Sequence, residues 1–448
     1  MRIALAVFLN AALLALLLSW LRRQWAWAGS FGWRGVLGLG LLLRVGTGLA
    51  RSLPLRLDAE YMHDFSQLVT ARLRAAPGRG WQVLTQAVTV FPTSHSGDIV
   101  YQNSSNTWFM IKLLALLNLA SLGTGWLNAL YLSLFAFAGC WVLARALARH
   151  LPATPAGAGV VALLLWPSVW FWASGISKEA VLLGSGAWLT ARVITRLYGT
   201  APAYATGPAA VGSWWLGTLL LAMLHLATRY FFAIPLLAVL AGLALGRGLE
   251  RLALGRRWAA VGGLVLVMGA GGWLAPQVSV AFRVNKLLNQ VVRIYSSEIR
   301  NNMGQPHFEY PDLRPTLGSL VAHAPQAVAN CLARPWLGET RQPVFVAVGI
   351  ENAALLLLLL AATVALLRGR GGRLPFGLGL GLGLLCLLLA FLIGLTTPNL
   401  GSLHRYRTEL LPFLLLLLLQ PAYAAQALRR LGLAGRGSPE AALPPPEA

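Results

Sequence analysis

Apolar residues along this chain fall in long, nearly unbroken runs separated by short joints rich in arginine. That is the pattern of membrane-crossing helices rather than of the half-apolar stripes of a water-soluble helix. A helix that crosses the roughly 30 Å hydrocarbon core needs about 20 residues, and fewer where the bilayer thins. Runs on this scale predict eleven spans, at 3–20, 35–52, 126–147, 157–174, 179–197, 213–228, 231–247, 257–275, 343–367, 374–395 and 409–426. The stretch 213–247 would reach about 52 Å as one helix. It is therefore expected to fold back at His225–Tyr230, where Arg229 interrupts the apolar run. Trp108–Leu122 is nearly long enough to span but contains Lys112, and is expected to lie on or dip into the outer interface. The run 3–20 also admits a signal-peptide reading, with Ala26-Trp27-Ala28 as the cleavage site. Its length and the intervening Arg22-Arg23 favour a retained helix.

The predicted fold is thus an all-α, polytopic transmembrane bundle of about eleven spans, its external loops carrying short interfacial helices. Five stretches follow: an extra span and loop at 1–34, a core at 35–275 with its first external loop at 53–125, an external segment at 276–342, the last spans at 343–434, and a Pro-, Ala- and Gly-rich tail at 435–448 expected to be disordered. Composition agrees. The chain is 57% hydrophobic and 11% charged, whereas soluble domains carry roughly 25% charged residues.

Charge adds orientation. Lys and Arg number 36 against 14 Asp and Glu, a formal +22. The cations cluster around 22–34, 145–149, 192–196, 247–257, 368–373 and 429–436, all on one side of an alternating topology. The positive-inside rule puts that side in the cytoplasm and the N-terminus outside, in an inner cell membrane. All acids but Glu250, Glu440 and Glu447 then lie outside or at the outer interface. Membrane orientation accounts for the basic balance, so no nucleic-acid partner is expected. Cys140, Cys331 and Cys386 suggest neither a disulfide framework nor a zinc site.

Candidate chemistry gathers at the outer side. Asp58, Glu60, His63 and Asp64 occur within seven residues just beyond span 35–52. In an extended or turning segment Asp58 and Glu60 share a face, and paired carboxylates there could serve as general base or hold a divalent cation; on spacing alone an acidic loop start is the plainer reading. Beyond Trp166-Pro167-Ser168, the run Ser174-Gly175-Ile176-Ser177-Lys178-Glu179 places Ser177 as an N-cap and Glu179 in a first turn. Lys178 does not fit that dipole and suggests an anion site. His225 and Arg229 lie one turn apart on one face, where a buried cation must pair, line a cavity or snorkel. Glu351, two turns into its span, needs a partner or a proton, with Arg44 and Arg229 as candidates. Arg405 and Arg407 run against the positive-inside trend; together with Asn399 and Ser402 they suit phosphate, or they anchor the interface. Arg334-Pro335-Trp336-Leu337-Gly338-Glu339 is either a sugar contact or a folded lead-in to the next helix. The glycine-rich 377–384 reads as a close-packing surface.

The order of these parts resembles the GT-C superfamily of membrane glycosyltransferases. The likeness rests on a span ending in Arg44, the outer-loop Asp58-Ala59-Glu60-Tyr61, the interfacial helix, the hairpin Pro167–Glu179 and the segment Asn399–Arg407, and covers about half the chain. It is similar above all to the aminoarabinose- and mannosyl-transferase types, although Ala59 separates acids that are commonly adjacent there. The resemblance implies catalytic Asp58 and Glu60, with Lys178, Glu179, His225, Arg229, Asn399, Arg405 and Arg407 binding substrate. It implies a polyprenyl-phosphate sugar donor, a glycan, lipid or protein acceptor, and membrane lipids as partners; it fixes no cofactor, and Asp58 and Glu60 leave room for a divalent cation. Rival readings are a polysaccharide polymerase or ligase (O-antigen or exopolysaccharide), and a non-catalytic lipid-glycan transporter or scaffold.

Overall fold

The computed structural model describes residues 2–75, 77–91, 99–102, 105–199, 208–252 and 255–434; the tail at 435–448 lies outside them. Most described residues are helical. The chain opens with α1 (Arg2–Phe31), α2 (Arg34–Ala50), α3 (Asp58–Ala75) and α4 (Pro77–Thr85). A small antiparallel hairpin follows, β1 (Val88–Phe91) pairing with β2 (Ile99–Gln102), Val88 opposite Gln102. Next come α5 (Asn106–Ser121), α6 (Gly125–His150), and α7 (Ala156–Val160), which widens into a π-helical turn at Val161–Leu165. They are followed by α8 (Pro167–Trp172), α9 (Lys178–Tyr198) and the long α10 (Pro208–Leu249). The remainder is α11 (Arg256–Val278), α12 (Val284–Asn301), α13 (Leu317–Ala333), α14 (Pro343–Leu367) and α15 (Phe376–Thr396), then α16 (Leu400–Tyr406), α17 (Leu411–Leu418) and α18 (Ala422–Arg430). Helix starts follow side-chain chemistry: Ser105, Thr316 and Asn399 accept from the backbone N–H groups of Trp108, Ser319 and Ser402.

This is an all-α membrane protein, but eleven full-length spans do not emerge. Among the described residues, α1, α6, α10, α11, α14 and α15 are long and apolar enough to cross; α17 with α18, bent by 101°, makes a seventh if counted together. The differences have local causes. The helix at 35–52 has only 17 residues, about 25 Å. The run 157–174 breaks at Trp166, whose backbone turns extended ahead of Pro167. α9 is 21 residues long but carries Lys178, Glu179, Arg192 and Arg196. The runs 213–228 and 231–247 form one 42-residue element, interrupted where the sequence places the break, at Arg229 (φ −159°, ψ 87°).

The chain divides into two compact units. The first comprises Met1–Trp141, Trp170–Trp188 and Val211–Phe231. Its core is α5, whose Trp108, Met110, Ile111, Leu114 and Ala115 are fully buried against Met62 and Val69 of α3, Ala129, Leu132 and Ala136 of α6, and Ala180 and Val181 of α9. The apolar face of Trp108–Leu122 packs inside the unit. A buried amide joins three helices: Asn118 donates to Ser66 (3.0 Å) and Thr70 (3.1 Å) and accepts from Asn128 (2.6 Å).

The second unit comprises Val142–Val169, Leu189–Ala210 and Phe232–Ala448. Here α15 packs chiefly on α13, and Gly394 allows the backbone of Ala327 to approach so closely that no Cβ would fit. The glycine-rich start of α15 packs closely on one face only. A Cβ at Gly377 would meet Ala260 at 3.0 Å and one at Gly381 would meet Val239 at 2.9 Å, whereas Gly383 faces open space.

Candidate functional site

In the first unit, Arg44 of α2 and Arg51, which caps its C-terminus, shape the segment between α8 and α9. Arg44 and Arg51 are seven residues apart and so lie on one face of the helix. Arg51 donates to the carbonyls of Phe171 (2.7 Å), Trp172 (3.2 Å) and Ser174 (2.9 Å). Arg44, fully buried, donates to the carbonyl of Ala173 (2.7 Å) and to Cys140 Sγ (3.4 Å). The orphan carbonyls at the end of a helix favour cations, so this brace fixes the turn through Gly175 (φ 77°). Neither arginine's role was apparent in sequence, because the partners, mostly backbone carbonyls, are remote along the chain; the seven-residue spacing was the available signal.

That turn delivers the start of α9. Ser177 Oγ accepts from the N–H of Ala180 (3.1 Å), the expected N-cap. Lys178, half-buried, donates to Asn106 Oδ1 (3.2 Å) and Thr107 Oγ1 (2.8 Å) at the start of α5. Glu179 and Arg229 form a buried ion pair at 2.9 Å, and one turn earlier His225 Nδ1 lies 2.9 Å from Ser185 Oγ. Arg229 thus pairs within the protein rather than snorkelling.

Asp58 and Glu60 are exposed in the first turn of α3. Two residues apart on a helix, they point about 200° away from each other, so the shared face expected of an extended segment is absent. Among the described residues no group of three His, Cys, Asp or Glu side chains could hold a metal ion. The donor set at Asp58 and Glu60 does not fit a divalent cation. Immediately before Asp58, Leu57 is held in the left-handed region (φ 49°) while 86% exposed. From there a continuous chain of contacts runs to Lys178. The Tyr61 hydroxyl bonds that of Tyr101, Tyr101 stacks on Trp108 with ring centroids 5.2 Å apart, and the adjacent Asn106 and Thr107 hold the ammonium. Burial and the Tyr61 hydrogen bond hold the Tyr101 phenol well above its usual range. Burial likewise holds Lys112 below its ordinary value, its Nζ donating to the Leu84 carbonyl (3.1 Å).

The second unit holds the remaining candidates. Arg407 is not placed to bind substrate. It is fully buried and its guanidinium donates to the carbonyls of Cys331 (3.3 Å), Leu332 (3.4 Å) and Arg334 (3.2 Å) at the end of α13, and to the Asn352 side chain. It is a helix cap supplied from a distance. Asn399 is the buried N-cap of α16 and bridges the backbone at His307. Arg405 donates to the Tyr406 hydroxyl (3.2 Å) and lies over that ring. Glu351 accepts from the Ser168 hydroxyl, with Arg407 nearby, while Arg44 and Arg229 are engaged elsewhere. Arg334 and Glu339 pair at 3.2 Å within a turn that leaves Trp336 47% exposed.

Compared with family models, curated proteins and solved structures, the chain matches none.

Proposed function

We propose that this chain is a GT-C-type membrane glycosyltransferase that moves a sugar from a polyprenyl-phosphate donor to a lipid, glycan or protein acceptor at the outer face of the membrane. The observation that supports it most is the launch of Asp58. A bulky, solvent-exposed leucine in the left-handed region is unfavourable by about 1–2 kcal/mol, and such strain collects where a neighbouring group must be aimed. The turn carries Asp58 in the same unit as Lys178 and the Glu179–Arg229 pair.

In this reading Asp58 takes the proton of the acceptor hydroxyl as that oxygen bonds to the anomeric carbon. The bond from that carbon to the phosphate oxygen breaks, and its electron pair leaves with the lipid phosphate. Lys178 faces the developing charge, where electrostatic stabilisation is most effective. Glu179 and Arg229, held by each other, position the start of α9 beneath it. Topology follows the arginines, with α2, the broken α7–α8 run, α9 and each half of α10 counted as short crossings, so that Asp58 lies outside and the joints at 247–257 and 368–373 in the cytoplasm.

The test is sugar transfer by the full chain in liposomes. Asp58→Asn should insert normally and lose about 10²–10⁴-fold in transfer, the usual contribution of a general base. Glu60→Gln, on the opposite side of α3, should stay within about threefold, well short of such a loss. Unchanged transfer in Asp58→Asn would overturn the assignment.

A further inference from the structure

The second unit carries a half-open pocket of about 460 Å³ that plays no part in the transfer reaction above. Its size is that of a small-ligand site. Three stretches of chain form its wall: the turn at 152–155, the joint between α14 and α15, and the bend from α17 into α18. Three of its lining residues are the arginines Arg370, Arg373 and Arg429, and none is acidic.

Several independent features point to what it holds. Gly369 (φ 70°) and Gly372 (φ 95°) sit in the left-handed region that glycine favours, bracketing Arg370 and preceding Arg373. Gly372 is pressed against Gln420, where a Cβ would meet backbone oxygen at 2.7 Å. The joint is thus a shaped loop. α18 leaves α17 at 101° and presents Ala422, Ala425 and Arg429 to the cavity, positions that share one helical face. Its first turn adds the partial positive charge of a helix N-terminus. Gln420, only 6% exposed, donates from Nε2 to the Leu416 carbonyl (2.6 Å), and its buried Oε1 has no hydrogen-bond partner. A buried amide oxygen in that state favours a donor.

We infer that this cavity binds the phosphate of an anionic glycerophospholipid, with Arg370, Arg373 and Arg429 on the phosphate and Gln420 accepting from a headgroup hydroxyl. A phosphatidylglycerol-type headgroup supplies both. α17 is a run of leucines ending at the bend, which places the arginines where a headgroup sits; basic pockets between membrane helices take anionic lipids in this way. The occupant commits to the lipid rather than to free phosphate because the wall joins apolar helix ends to cations.

The experiment is native mass spectrometry of the purified full chain with phosphatidylglycerol, phosphatidic acid, phosphatidylcholine or sodium phosphate added. Wild type should retain phosphatidylglycerol over phosphatidylcholine by about tenfold or more, given three cations near the phosphate. The pair Arg370→Gln/Arg373→Gln, both exposed in a loop, should lose most of that preference, and adding Arg429→Gln the rest. Gln420→Ala should reduce retention of phosphatidylglycerol but not of phosphatidic acid, which lacks the hydroxyl. The charge-matched control Arg22→Gln/Arg23→Gln/Arg251→Gln should keep the preference. Equal loss in that control, an unchanged preference in the arginine variants, or displacement of the lipid by millimolar sodium phosphate alone would each overturn the inference. No readout depends on sugar transfer.

Discussion

Glu179 and Arg229 lie 2.9 Å apart, with 2% and 9% of their side chains exposed. Their strength is conditional, because removing one partner strands a buried charge. Arg229→Met should destabilise the protein by about 3–5 kcal/mol, whereas Glu179→Met/Arg229→Met should recover most of the loss; thermal unfolding of the purified variants measures both. Leu57 offers the opposite case. Leu57→Gly should raise stability by about 1 kcal/mol by relieving the left-handed conformation. If it instead lowers stability, the strain argument for Asp58 fails. At this scale the sequence was informative wherever partners were local. Ser177 was legible as a cap because Lys-Glu and an apolar run follow it, and the break at Arg229 because the run around it was too long. Arg407 was not, since its carbonyl partners lie some 75 residues upstream. The helical start at Asp58 was legible but missed, for two acids in a first turn are themselves a helix-start signal.

Elements follow the same logic of what they pack against. α5 reads as an interfacial helix because composition alone does not distinguish lipid from protein as an apolar neighbour. Its buried Asn118, bonded to α3 and α6, is the mark of a protein interior. Helix contacts in the second unit depend on small residues. Gly394→Val should separate α13 from α15 and destabilise by several kcal/mol, in the range of severe overpacking. Gly383→Ala, on the same helix but facing open space, should be neutral or gain up to about 1 kcal/mol of helix propensity. The same unfolding assay distinguishes them. α3 also carries a pH-sensitive group, His63, buried and bonded to Gln67 at 2.9 Å. Burial lowers its folded pKa below 6.5, against weaker opposing effects of Asp64 and the Gly123 carbonyl. Its contribution to stability is therefore complete above about 6.5 and is lost as pH falls through the folded value. A melting-temperature profile from pH 8 to pH 5 should fall less steeply in His63→Gln than in wild type.

For the molecule as a whole, membrane residence was legible from the length and spacing of the apolar runs, which need no tertiary information. The number of full-length spans was not. The breaks at Trp166 and Gln420 fall before Pro167 and Pro421, a local signal that the length of an apolar run overlooks, and α2 has only 17 residues. The candidate site was legible in part. The residues at the start of α9 are held as a set, while Asn399 and Arg407 serve to cap helices. The most direct measurement of the central proposal is product analysis by mass spectrometry after the purified chain, in liposomes, is given a labelled polyprenyl-phosphate sugar and mixed acceptors. Sugar transfer predicts one polyprenyl monophosphate released per sugar moved. Recovery of intact donor, or activity only on lipid diphosphates with growth of a glycan chain, would contradict it.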